Sequence, residues 1–350
     1  MSAARRGGDR TGPPTIQDVA LRAGVSTATV SRLLAGIGTP RPGTAAAVLR
    51  AVEELGYRPS GVARSLRIRR TGTLGLIVTD IQNPFFPELV QAADQAARAN
   101  GCSILLGSAA YDEHRAMHYL DLMVERRVDG LIIASSQVSE ASWDWLIRSP
   151  VPIVVVNAEP AGRPVMVVTS DNAGAMGLAV RHLVDLGHRR IAFVRGPLGD
   201  PPSEARLTGF REACEGAGLD PAATPVLDGD ARFEGGVGAV ERLLADGAPV
   251  TAVVAHNDLT AIGAIHALRA AGHEVPRDVS VVGCDDIAAA SWVSPPLTTL
   301  GQVKAEMGRL AVERLIAAIG AGETRVAPET IRLPMTLVVR GTTGPAAATA

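Results

Sequence analysis

At 350 residues, with 47% hydrophobic and 20% charged side chains, the chain is long enough for a large core and more than one domain, which excludes a disordered or low-complexity polypeptide. A formal net charge of −2 hides a split: residues 1–70 carry 12 Arg and 4 acids, a net of +8, and the remainder carries 22 basic and 32 acidic residues, a net of −10. A basic head on an acidic body fits a polyanionic partner, either nucleic acid or a membrane surface.

Residues 1–14 are polar and rich in Gly and Pro, and they read as disordered. From Thr15 the pattern changes. T-I-Q-D has the form of a capping box, with Thr15 as N-cap and Asp18 three residues on, and the helix it starts ends at Gly24. A second helix, V-S-T-A-T-V-S-R-L-L, follows with Ser26 as its N-cap. A third is expected from about Pro42 to Leu55, with Val48, Leu49, Val52 and Leu55 on one face and Gly56 ending it.

The next stretch, P-S-G-V-A-R-S-L-R-I-R-R-T-G from Pro59 to Gly72, sets Leu66 and Ile68 among four arginines. It reads either as a basic linker or as an element that acts on a polyanion. Beyond Thr71 short apolar, β-rich runs recur, each followed by a helical pattern: L-G-L-I-V, C-S-I-L-L, G-L-I-I-A, I-V-V-V, R-I-A-F-V, A-V-V-A and S-V-V-G. Strands alternating with helices predict an α/β fold with parallel sheets. T-L-G-L-I-V and R-R-I-A-F-V open two similar halves, so two lobes are expected, with a ligand crevice outside the carboxyl ends of the strands.

Cys102, Cys214 and Cys284 are far apart and form no C-x-x-C pair, which argues against a disulfide framework or a zinc site. His114 and His118 stand four apart on a helix without acidic or Cys partners at motif spacing, and read as solvated surface. No P-loop, nucleophile elbow or G-x-G-x-x-G occurs in the context its chemistry needs, so no cofactor and no catalysis are expected. No secretory h-region and no bilayer-long apolar run is present, which predicts a soluble cytoplasmic protein with no membrane partner.

The second helix is the most informative element. Val25, Val30 and Leu33 or Leu34 can pack on Ile16, Val19 and Ala20, which leaves Thr27, Ala28, Ser31 and Arg32 outside. Small side chains at the start of such a helix let it sit deep in a DNA major groove. Thr27 can bond a base edge, Ala28 offers apolar contact, and Arg32 can fork onto guanine or hold a phosphate.

The run T-I-Q-D-V-A-L-R-A-G-V-S-T-A-T-V-S-R-L-L-A-G resembles the head of the lactose/galactose-repressor family. The likeness continues through E-E-L-G-Y-R-P, V-A-R-S-L-R, G-L-I-V-T-D-I-Q-N-P-F-F, L-G-H-R-R-I-A and G-C-D-D-I to S-P-P-L-T-T, and covers about residues 15–340. The resemblance implies a helix-turn-helix head on a two-lobed body like periplasmic binding proteins. It implies a ligand-responsive transcription regulator, usually a repressor, that binds a pseudo-palindromic operator as a homodimer or a tetramer. It assigns base reading to Thr27, Ala28 and Arg32, with Thr15, Ser26, Thr29, Ser31 and Tyr57 completing the DNA-facing set. It also makes the segment after Y-R-P a hinge that folds on the operator, where Leu66 would wedge into the minor groove between phosphate-binding Arg64 and Arg67. The implied domains are 1–14 (extension), 15–59 (head), 60–71 (hinge), 72–341 (body) and 342–350 (disordered tail). Within the body, about 72–169 and 297–325 form one lobe, and about 170–296 and 326–341 the other.

For the small-molecule effector, the resemblance points to Arg206 and Asp258, with Phe85 and Phe86 after a strand, Asp285, Trp292 and Ser135 as further lining. The set Arg206, Asp258 and Asp285 favours a sugar or polyol over a purine. Several positions depart from the family pattern: Ala35 replaces its Asn, Arg41-Pro42-Gly43 alters the wing, and Ala231 stands where an aromatic is usual. Gly61 lies at the first turn of the hinge and either weakens its helix or marks its start. A sugar-transport component and an enzyme on a doubly wound fold are the competing readings. The head argues against the first, and the second has little residue-level support.

Overall fold

The computed structural model describes residues 14–34, 41–57, 70–134, 138–160 and 162–347. The chain divides into two units, residues 1–71 and 72–350.

The first unit contains three helices: α1 (Ile16–Ala23), α2 (Thr27–Leu34) and α3 (Pro42–Leu55). The Asp18 carboxylate reaches back to accept from the Thr15 N–H at 2.8 Å and hydroxyl at 2.7 Å, which holds the start of α1. Gly24 and Gly56 end α1 and α3 in the left-handed conformation, at φ 65° and 61°, where a residue without a Cβ avoids strain. The Ser26 hydroxyl accepts from the Thr29 N–H at 3.2 Å and starts α2. Val19, Val30 and Val48 are fully buried, and Ala20, Ala51 and Tyr57 close the core around them. Leu49 lies outside it and is 55% exposed, because Ala51 rather than Leu49 turns toward α1.

The second unit is built on two six-stranded sheets. The first contains β1 (Thr73–Val78), β2 (Ser103–Ser108), β3 (Gly130–Ala134), β4 (Ile153–Val156), β5 (Met166–Ser170) and β11 (Glu329–Leu333), in the order β11-β5-β4-β3-β1-β2. The second contains β6 (Ile191–Arg195), β7 (Val226–Asp228), β8 (Ala252–Ala255), β9 (Ser280–Asp285), β10 (Thr298–Gly301) and β12 (Thr336–Val338), in the order β12-β10-β9-β8-β6-β7. β2-β1-β3-β4-β5 and β7-β6-β8-β9-β10 are the same arrangement, so the faint internal repeat of the sequence is a repeat of topology. All pairings are parallel except β10 with β12. Parallel strands are covered on both faces, which is why β3, β4 and β9 are continuous buried runs rather than alternating ones.

Helices α4 (Phe85–Ala99), α5 (Glu113–Glu125), α6 (Glu140–Arg148) and α12 (Lys304–Ala321) accompany the first sheet. With the second go α7 (Asn172–Asp185), α8 (Pro201–Gly216), α9 (Phe233–Ala245), α10 (Asp258–Ala270) and the short α11 (Ala288–Trp292). Some of these helices cross with backbone on backbone. A Cβ on Gly263 of α10 would lie 2.0 Å from the Phe233 carbonyl of α9, and one on Gly308 of α12 would lie 2.4 Å from the Leu89 carbonyl of α4.

The chain crosses between the lobes three times: after β5, between β10 and α12, and between β11 and β12. This corrects the lobe boundaries drawn from sequence. Thr298–Gly301 pairs with Val282–Asp285 and belongs to the second lobe, while Glu329–Leu333 pairs with Met166–Ser170 and belongs to the first. Edge pairing, not order along the chain, decides the lobe.

The expected tail is corrected too. Thr342 is fully buried, its hydroxyl donates to the Val281 carbonyl at 2.7 Å and accepts from the Thr298 N–H at 2.8 Å. The Gly344 carbonyl accepts from His188 Nε2 at 3.0 Å, which fixes the proton on that nitrogen and leaves Nδ1 to face the Thr251 hydroxyl at 2.9 Å. Burial lowers the pKa of His188 and keeps it in this neutral form.

Candidate functional site

Where the two lobes of the body face each other, side chains gather from the carboxyl ends of strands in both sheets. Thr79 follows β1, Tyr111 follows β2 and Asn157 follows β4; Asp200 lies after β6, His256 and Asn257 follow β8, and Asp285 ends β9. Asn83, Phe85, Phe86, Pro202 and Arg206 complete the wall. The space they enclose is about 20 Å³, room for a single water. It adjoins a larger opening of about 300 Å³ lined by Asn157, Ser170, Asp171, Asn172, Pro202 and Arg332. Backbone strain gathers here: Tyr111, Asn157, Ala231 and Asp285 all have positive φ, at 61°, 56°, 64° and 121°. Non-glycine residues adopt such angles at a cost, and they concentrate at ligand-binding sites.

Arg206, on α8, is the centre of the site. Only 2% exposed, it donates from Nε to Asn172 Oδ1 at 2.8 Å and from Nη1 to the His256 carbonyl at 2.5 Å, and its Nη2 lies 3.5 Å from Asp285 Oδ1. Burial opposes the guanidinium charge, but Cys284, Asp285, Asp200 and Asp258 around it outweigh that and raise its pKa. Burial likewise lifts the Asp285 carboxyl above its ordinary range, against Arg206 and the Gln302 amide, which donates at 2.7 Å. His256 is held neutral, first by burial and then by Arg206. Phe85 and Phe86 stand edge to face, 5.1 Å between centroids, and form the apolar side.

Asp200 caps α8 by accepting from the Ser203 N–H at 3.2 Å, and burial raises its carboxyl from the ordinary 3.8 to about 6. A folded-state pKa above the unfolded one means that the folded chain holds this proton more tightly. Stability is therefore lost as pH rises from about 4 to about 6 and stays reduced above that. Asp200→Asn keeps the cap and removes the buried charge. It is expected to raise the thermal midpoint at pH 7.5, by the equivalent of at most about 3 kcal/mol, and to flatten the profile between pH 4 and 6. Equal midpoints for the two proteins at pH 7.5 would overturn this.

Two residues expected in the cleft are elsewhere. Asp258 is completely buried behind it: Oδ1 accepts from the Thr299 hydroxyl at 2.5 Å, and Oδ2 accepts from the Ile287 N–H at 2.8 Å. One oxygen ties α10 to β10 and the other ties it to the start of α11. Its neighbour Asn257 faces the cavity instead, capping α10 by accepting from the Thr260 N–H at 2.9 Å and donating to the Ala231 carbonyl at 2.8 Å. Trp292 ends α11 with 78% of its surface exposed, away from the cavity lining. Asp286 accepts from Arg340 at 2.7 Å, and Phe233 turns to His266, 5.5 Å between ring centroids. Ser135 lies outside the described residues. The N-P-F-F run that begins at Asn83 was expected at the cleft and is there, whereas the sequence reading missed Thr79, Tyr111, Asn157, Asp200, His256 and Asn257. Each stands within a few residues of a strand's carboxyl end, which is the signal that could have found them.

In the head, Thr15, Ser26, Thr27, Ala28 and Arg32 are exposed, with Thr29 and Ser31 partly so. Thr27, Ala28, Ser31 and Arg32 fall on one side of α2, opposite the buried Val30. Tyr57 departs from its expected DNA-facing place, since its ring fills the head's core with 9% exposure. Arg64, Leu66 and Arg67 lie outside the described residues.

Comparison with known proteins agrees with both halves. Residues 15–60 match the model for bacterial regulatory proteins of the lacI family, and residues 180–343 match that for a periplasmic binding protein-like domain. The chain is 38% identical over 306 residues to the ribose operon repressor of Escherichia coli (strain K12), covering 87% of this chain and 93% of that protein. This chain belongs to the lacI family of bacterial regulatory proteins.

Solved structures of the family superpose on it closely. The lac repressor dimer bound to operator and the anti-inducer ONPF matches with a TM-score of 0.86 at 28% identity, covering 95% of this chain and all of that one. A lacI-family regulator from Enterococcus faecium with bound ribose matches with a TM-score of 0.71 at 30% identity, covering 78% and 99%. As a lacI-family member the chain is a DNA-binding regulator of transcription and not an enzyme. Among the described residues no helix is long and apolar enough to cross a membrane.

Proposed function

We propose that this regulator acts in the cytoplasm as a homodimeric repressor whose cleft binds a sugar, with a pentose such as D-ribose as the first candidate. The observation that carries the sugar assignment is the character of the cleft wall. Asn83, Asn157, Asn257, Asp200, Asp285 and Arg206 offer donors and acceptors on several sides, while Phe85 and Phe86 give one apolar face. That combination matches a ring with hydroxyls around its edge and C–H groups on its faces. The ribose named for the E. coli relative and bound in the E. faecium structure supports the same choice. Thr27, Ala28 and Arg32 read bases in the major groove, and Leu66, between Arg64 and Arg67, is the minor-groove wedge of a hinge pair.

Gel-shift titration of the full chain on palindromic duplexes with a central CpG tests this reading. A site-specific, salt-sensitive shift that D-ribose alters is expected. No such shift under any salt or ribose condition would overturn it. Arg32→Ala should weaken operator binding about ten-fold or more, and a phosphate role would also lower the salt slope by about one. An unchanged affinity would remove Arg32 from the interface.

A further inference from the structure

We propose that Arg232 and Asp80 form a latch that holds the two lobes of the body together over the cleft, with Tyr111 as its seat. The inference rests on the cleft being the effector site.

Asp80 lies just past β1 in the first lobe, and Arg232 is the N-cap residue of α9 in the second. One carboxylate oxygen, Asp80 Oδ2, accepts from Arg232 Nε at 3.1 Å and from Nη2 at 2.8 Å. The guanidinium carbon lies 5.8 Å from the centroid of the Tyr111 ring, also in the first lobe, within cation–π range. Asp80 and Arg232 are outside all three crossovers, so the pair joins the lobes independently of the chain's own crossings.

Each arm is preset by its loop. Asp80 Oδ1 accepts from the Gln82 N–H at 3.0 Å, which leaves Oδ2 for the arginine. Ala231, at φ 64°, turns the backbone before Arg232, and Asp230 Oδ1 accepts from the Arg232 N–H at 2.9 Å. The Asp80 side chain is 6% exposed and that of Arg232 is 42% exposed, so the acid is sheltered and the arginine closes over it from outside.

The cavity behind the pair, about 20 Å³, is far below the several hundred Å³ of a small-molecule site. A sugar can pass from the adjoining opening of about 300 Å³ to this inner end of the cleft only if the lobes part, and parting them breaks this pair. The latch thus weights the equilibrium between closed and parted lobes. It slows both arrival and escape of the effector.

Hydrogen exchange and small-angle scattering on the full chain without added sugar test the latch directly. Arg232→Ala and Asp80→Asn should each speed exchange at the amides of Phe85, Phe86 and Asn257 about five-fold, the effect of a partly exposed pair, and raise the radius of gyration. The swapped pair Asp80→Arg with Arg232→Asp should restore the parent values. Exchange and scattering that stay at parent values in both single variants would overturn the latch, as would a swap that restores neither. Calorimetry with D-ribose separates the two readings. Variants that open while no protein binds ribose would sink the pentose assignment and leave the latch standing. Ribose binding with unchanged exchange and scattering would do the reverse.

Discussion

Replacing Arg206 with alanine is expected to cost about 3–5 kcal/mol of stability, because it breaks a buried, hydrogen-bonded charge network by removing one partner. The guanidinium is 2% exposed and holds Asn172, the His256 carbonyl and Asp285 together. Without it Asp285 and Asp200 lose the cation beside them in a buried space, and Lys304, also near Asp285, is already committed to the Asp285 and Asp286 carbonyls and to Glu88. Urea unfolding of the full chain measures the loss. Arg206→Lys keeps the charge but not the planar fork, and should recover only part of the stability while still binding no sugar by calorimetry. A loss below about 1 kcal/mol, the worth of an ordinary surface pair, would mean that the buried network around Arg206 does not hold the fold together.

A second large effect is expected from a single methyl group at Gly263. Its Cβ would lie 2.0 Å from the Phe233 carbonyl and 3.1 Å from the Val237 nitrogen, both backbone atoms of α9 that no rotamer change can move. The helices must separate, and overpacking of this kind costs about 1–3 kcal/mol. Gly177, in the interior of α7, has nothing within 4 Å of the same position and serves as the control. There Gly→Ala should stabilise by about 0.5–1 kcal/mol through helix propensity. The effect at Gly263 should also reach the cleft, since Arg232 directly precedes α9 and α10 is capped by Asn257. Thermal unfolding of the two variants, with hydrogen exchange at Asn257 alongside, checks both parts. Matching thermal midpoints for the two alanine variants would refute the backbone contact.

Much of the architecture was legible in the residues. The helical period of the head separates Val19, Val30 and Val48 from Thr27, Ala28 and Arg32 because a small three-helix unit has one apolar face per helix. Six interior strands, β1, β3, β4, β6, β8 and β9, announce themselves as apolar runs because a doubly covered sheet buries both faces, and the edge strand β2 shows such a run as well. β5, β7, β10, β11 and β12 do not: M-V-V-T-S and T-T-L-G carry polar residues within buried strands, and β7, β11 and β12 are partly exposed edge strands. The cleft was legible at the level of strand ends and not of side chains. Asn257 and Asp258 are adjacent, yet the cap residue faces the cavity and the next one turns back to the sheet. Only the direction in which the chain leaves β8 decides between them. Trp292 was expected in the cleft from the family resemblance, and a place in a motif does not say which surface a side chain at the end of a short helix turns to.

The helix crossings of the body have a mechanical consequence. With backbone resting on backbone at Gly263 and Gly308, the lobes hold little slack with which to absorb a displacement. On the proposed sugar-binding reading, this leaves rotation about the three crossings as the way for the lobes to admit a guest. β1 begins beside the unit boundary at Gly72 and delivers Thr79 and Asp80 to the cleft at its other end. Six extended residues make a stiff rod of roughly 20 Å. One end of the rod stands at the cleft, and the other is where the body begins along the chain after residues 1–71.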